Sequence, residues 1–115
     1  MRKATDAERQ QMEAAFLAAL LERGVATTDD AHSLFELPDD VQPKVWGSIV
    51  GALQAMGFIR RIGETQTRRP VAHGRRIGVF IANDVEDVKE YLGGLLRSLT
   101  RRRRETHRMR QLKLI

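Results

Sequence analysis

Residues 57–83 read GFIRRIGETQTRRPVAHGRRIGVFIAN. An apolar start at Phe58 and Ile59 leads through Arg60, Arg61 and Ile62 to Gly63, and a second apolar run follows at Ile77, Val79, Phe80 and Ile81. Two β-rich runs separated by a polar segment with Pro70 and Gly74 predict a hairpin with a long tip. The tip and its shoulders carry Arg60, Arg61, Arg68, Arg69, Arg75 and Arg76 against a single acid, Glu64. Arginine donates two parallel hydrogen bonds to a phosphate and keeps its charge at every relevant pH. Charge also keeps edge strands soluble, but six arginines with one acid exceed that need. The hairpin is therefore expected to contact nucleic acid, with His73 as a further tip contact.

Charge along the rest of the chain supports the same direction. The 115 residues carry a formal net charge of +5, unevenly spread. Residues 1–57 hold five basic and nine acidic side chains, residues 58–83 six and one, and residues 84–115 nine and five. Such asymmetry points to a polyanion met by the C-terminal half. A hydrophobic content of 42% with 30% charged residues fits a globular domain. There is no cysteine, which excludes disulfides and thiolate metal sites and fits a reducing compartment. Arg2 and Lys3 before the run AAFLAALL resemble a signal peptide, but Asp6, Glu8 and Glu13 intervene and Glu22 and Arg23 end the run. That run is too short to span a bilayer. A cytoplasmic helix is expected.

Three helices precede the hairpin. In the first, Thr5 and Glu8 form a capping box. Met12, Ala15, Phe16, Ala19 and Leu20 fall on one face, and Gly24 suits the position after the last turn. The second is capped by Thr27 or Thr28, carries Asp29 and Asp30 at its positive end, turns Ala31, Leu34 and Phe35 inward and stops at Pro38. The third starts after Asp39 or Asp40, takes Pro43 in its first turn and ends at Gly57. Its apolar face is Val45, Ile49, Leu53 and Met56, with Ala52 and Trp46 beside it, and its open face is Lys44, Gly47, Ser48, Gly51 and Gln54. Lys44 suits a phosphate or a guanine, and Ser48 and Gln54 suit base edges. Two interior glycines cost about 1 kcal/mol each relative to alanine, so a packing reason for them is expected.

After the hairpin, Asn83 with Glu86 reads as the cap of a fourth helix. Val85, Val88, Leu92, Leu95 and Leu99 step along it at a/d spacing for about two heptads. This seam suits either packing on the first helix or homodimerisation. Beyond it Arg101, Arg102, Arg103 and Arg104 open a basic tail, RRRRETHRMRQLKLI, which continues the helix along DNA or folds upon binding. Met109, Leu112, Leu114 and Ile115 make the tail faintly amphipathic, a weak membrane signal, and no membrane partner is expected. The organisation predicted is a domain over residues 1–83, a helix over 84–100 and a tail over 101–115.

No chemistry of catalysis stands out. His32, His73 and His107 fall in separate elements, and no Walker loop, HExxH or EF-hand spacing occurs. The paired acids sit at helix starts, where capping explains them. No enzyme, metal or cofactor is expected.

The order helix, short helix, helix, hairpin resembles a winged helix-turn-helix over about residues 7–83. The segments TTDDAHSLFEL, PKVWGSIVGALQAMGFIRRIG and RRPVAHGRRIGVFIA carry the resemblance. The last two are similar to small winged-helix proteins encoded by phages, often near replication or recombination genes. The resemblance implies a mainly helical α+β fold with a two-stranded wing and an extra C-terminal helix. It also implies DNA contacts from the exposed face of helix three and from the wing arginines. The chain departs from such proteins at Gly51, Ala52 and Gln54, where basic residues often stand, which shifts weight to the wing. Replication, recombination or transcription control is the implied setting. The rival reading is an adaptor that docks a replication or transcription protein through helices three and four.

Overall fold

A computed structural model describes residues 1–69 and 74–113, with side chains described through residue 111. Four helices and one antiparallel pair of strands form an α+β fold. The elements are α1 (Asp6–Arg23), α2 (Thr28–His32), α3 (Val45–Ala55), β1 (Ile59–Gln66), β2 (Arg76–Ala82) and α4 (Val85–Lys113).

The centre of the fold is α1, which touches α2, α3, α4 and β2. The Thr5–Glu8 capping box closes its start, and Gly24 at φ 81° closes its end. Met12, Phe16, Leu17 and Leu20 are fully buried. Phe16 meets Phe80 of β2 edge-on, with ring centroids 6.0 Å apart. Ile49 and Leu53 of α3, Ile59 of β1 and Val88 of α4 complete the core. Burying a side chain of this size contributes about 1.5–3 kcal/mol, so the five elements are held by one shared apolar cluster.

Several local expectations change. Leu34 is 53% exposed and Met56 49% exposed, because α2 ends at His32 and α3 at Ala55. Both residues therefore lie past the helical repeat that would have turned them inward. The start of α3 is later than expected, since Val41 pairs with Arg2 in an isolated bridge. Pro43 then sits in a tight turn before the helix, with the Val45 N–H on the Gln42 carbonyl at 3.1 Å. Asn83 does not cap α4. Its amide donates to the carbonyl of Gly57 at 2.9 Å, and Asp84 accepts from the Glu86 N–H at 2.9 Å instead.

The apolar seam of α4 lies against this chain's own core. Val88 and Leu95 are buried, Leu92 and Leu99 pack against the cluster, and Val85 is 50% exposed. These residues are thus not an open dimerisation face. Tyr91 stacks on Phe58 with centroids 4.5 Å apart and donates to Glu13 Oε2 at 3.2 Å. Burial, with Glu13 beside it, pushes the Tyr91 phenol up to about 12. The boundaries expected after residues 83 and 100 are not breaks: α4 shares the core and runs unbroken into the arginine tail. Among the described residues no helix is long and apolar enough to cross a membrane.

Candidate nucleic-acid interface

The hairpin is fixed to the helices at both ends. At its root, Ala26 exchanges two backbone hydrogen bonds with Phe80, at 3.0 and 2.9 Å. Near its tip, Asp29 of α2 holds the chain where β1 ends. It accepts from the Thr67 hydroxyl at 2.8 Å and from the Arg68 N–H at 2.7 Å. Thr67 is buried, and its hydroxyl oxygen accepts the Arg69 N–H at 3.2 Å. An anionic acceptor strengthens such bonds, so the backbone carrying Arg68 and Arg69 has a defined position beside α2.

Pairing between the strands sets which arginines keep their charge available. The register runs Arg61 opposite Phe80, then Gly63 opposite Val79, leaving Ile62 as a bulge. Downstream of it Glu64 lies opposite Gly78 and bridges two arginines, Arg61 and, at 3.0 Å, Arg76. Gly78 is required there: a Cβ would come within 2.7 Å of the Phe80 ring. Arg69 donates to His32 Nε2 at 3.0 Å, and the His32 ring lies 4.9 Å from that of Trp46. Burial, helped by the nearby Arg69 charge, lowers the His32 pKa to about 4. His32 is therefore a neutral acceptor that leaves the Arg69 charge intact. Arg60, Arg68 and Arg75 are exposed and have no side-chain partner among the described residues. His73 lies outside the described residues.

Lys44, which immediately precedes α3, and Ser48 and Gln54 within it are exposed. A cleft of about 490 Å³ separates this face from the hairpin, and Lys44, Gln54, Arg69, Arg75 and Arg76 all line it. Gly47 and Gly51 line it as well, and a Cβ at either would meet nothing within 4 Å. Among the described residues no packing reason for these glycines is found, and the strip is open there. Ser48 reaches the other way, accepting from Arg9 of α1 at 3.2 Å. Arg9, Lys3 and Lys44 share a second depression with Ser48 that no carboxylate lines. Nothing in the sequence signals this meeting, since Arg9 and Ser48 are 39 residues apart. Asp29 and Thr67 escape notice for the same reason.

The tail arginines are not gathered with the hairpin. Arg101, Arg102, Arg103 and Arg104 are exposed on α4, and at about 100° per residue they point in four directions. Arg102 and Arg103 border a groove along α1 that has no residue in common with the cleft. Among the described residues no group of three or more His, Cys, Asp or Glu is placed to hold a metal ion.

Comparison with protein-family models, with characterised proteins and with solved structures finds no match to this chain.

Proposed function

We propose that the chain is a non-enzymatic nucleic-acid-binding protein of the winged helix-turn-helix class, taking double-stranded DNA against its hairpin. In this reading α2 and α3 are the helix-turn-helix, β1 and β2 the wing, and Ala26 the short third strand on β2. The observation that carries it is the set of exposed arginines without side-chain partners among the described residues, above all Arg68 and Arg75, of which Arg75 lines the cleft beside the open face of α3. Backbone phosphate is the ligand such forks fit. Gln54 and Lys44 face the same cleft and supply any base preference. The basic length of α4 adds a second, separate phosphate contact. Replication, recombination or transcription control, of a phage or its host, is the setting proposed.

The test is the salt dependence of duplex binding. Each phosphate neutralised adds about −0.9 to the log–log salt slope, so Arg68→Ala, Arg69→Ala and Arg75→Ala together are expected to flatten it by roughly 2.7. Affinity falls for all sequences alike, whereas Lys44→Ala and Gln54→Ala alter preference between sequences. A triple variant that melts like wild type and keeps the wild-type slope refutes the reading. The adaptor alternative, favoured by the bare strip at Gly47 and Gly51, then takes its place.

A further inference from the structure

A depression of about 720 Å³ lies away from the cleft, between α1, α4 and the segment after α2. Its floor is apolar. Ala7, Ala14 and Ala18 fall on one side of α1, at spacings of seven and four residues. Leu34 and Leu96 border them at 53% and 50% exposure. Its rim is basic: Arg102, Arg103 and Arg110 line it, and among the described residues no carboxylate does.

We propose that this groove docks an acidic amphipathic helix of a protein partner. The alanines let a third helix approach α1 at the short end of the usual 8–10 Å interaxial range. Leu34 and Leu96 then lose the water that now covers half of each side chain. An apolar floor suits the anchor residues of an amphipathic helix and offers nothing to a phosphate backbone. Charge complementarity fixes the partner's sign, because a cationic rim with no carboxylate partner among the described residues steers and retains carboxylates. Spacing fixes more. Arg103 and Arg110 are seven residues apart on one face of α4, about 10 Å along the axis. They match carboxylates at i and i+7 on the flank of the incoming helix. The groove has no residue in common with the cleft, but its rim belongs to the basic length of α4 proposed as a second phosphate contact, so the leucine variants are what separate peptide docking from DNA binding.

The experiment uses the full chain and three fluorescein-labelled 18-residue peptides. One has leucines at helical a/d spacing with glutamates at i and i+7 beside them. The second scrambles that composition, and the third replaces glutamate with lysine. Anisotropy is expected to give micromolar binding of the first peptide, at least tenfold weaker binding of the scrambled one and none of the third. Leu96→Glu, and separately Leu34→Glu, alter exposed positions that the fold tolerates, and each is expected to weaken the first peptide at least tenfold. Arg103→Glu with Arg110→Glu does the same. Equal binding of the first two peptides reduces the effect to charge attraction by the tail and overturns the proposal. So does failure of the first peptide to bind, or indifference to both leucine variants. A short duplex whose binding, rather than the peptide's, depends on Leu96 would reassign the groove to nucleic acid and end the proposal equally.

Discussion

Glu64 restrains two of the hairpin's arginines, so removing its charge is expected to strengthen DNA binding. In Glu64→Gln the carboxylate shared by Arg61 and Arg76 becomes a neutral amide of the same shape. All three side chains are 44–68% exposed, and exposed ion pairs contribute about 0.2–1 kcal/mol each. The folding cost is therefore below about 2 kcal/mol, and the core is untouched. The hairpin segment gains one unit of net positive charge, and one or two guanidinium groups become free for phosphate. At about 0.9 per contact the salt slope steepens by roughly 0.9 to 1.8. Lowering salt from 200 to 50 mM should then raise the variant's advantage over wild type by roughly 3- to 12-fold. Anisotropy titrations of a labelled duplex at four salt concentrations, beside a thermal melt, measure both quantities. A variant that melts normally yet shows an unchanged slope removes Arg61 and Arg76 from the interface. A flatter slope would mean that Glu64 orients the arginines for DNA, which reverses the reasoning.

Three further outcomes can be checked on the same protein. Asp29→Ala removes the acceptor of the Thr67 hydroxyl and the Arg68 N–H; bonds to a charged group contribute about 1.5–3 kcal/mol each, so a loss of roughly 3–6 kcal/mol is expected in a urea melt, and unchanged amide-exchange protection at Arg68 would contradict the clamp. The folded pKa of His32, about 4, lies below its ordinary 6.5, so the folded state binds fewer protons between those values. Its stabilisation is complete above pH 6.5 and is lost as pH falls from there towards 4; His32→Phe should lose that part of the pH dependence, and an identical profile would refute it. Ending the chain after Thr100 removes a stretch whose described side chains are all exposed; the melt should stay cooperative and near wild type while duplex affinity drops, and sedimentation should show a monomer, because the α4 seam is occupied by α1.

What could be read from the sequence is what neighbouring residues decide among themselves. The Thr5–Glu8 box, Gly24, the buried face of α1 and the open face of α3 each follow from spacings of three to four residues, and the hairpin follows from its breakers. Helix ends were harder, since their caps compete with distant partners. Asn83 and Asp84 are both good caps, and the choice falls to Asp84 because the Asn83 amide is taken by Gly57 from another part of the chain. Leu34 follows the apolar spacing of α2, yet the helix stops before reaching it. No local pattern foretells that Asp29 will meet Thr67, 38 residues away.

Glu64 shows how one backbone irregularity governs the electrostatics of the candidate site. In a regular strand residues 61 and 64 point to opposite faces, because side chains alternate with a period of two. A single acid among six arginines would then offset the total charge without engaging Arg61. The bulge at Ile62 inserts one residue into β1 without a partner in β2. Everything downstream changes face, so Glu64 joins Arg61 and, through its place opposite Gly78, comes beside Arg76. Ile62 itself is 53% exposed, and every other residue of β1 after Ile59 is exposed too, so the bulge costs the core nothing. Deleting Ile62 alone removes the bulge yet keeps Glu64 on the face of Arg61. Deleting Ile62 and Gly63 together makes Arg61 and Glu64 neighbours on opposite faces and should break that ion pair. The salt slope of duplex binding would then steepen as it does in Glu64→Gln, although the carboxylate is still present. If the double-deletion variant folds and its slope matches wild type, the face that Glu64 occupies does not control the charge available at the hairpin.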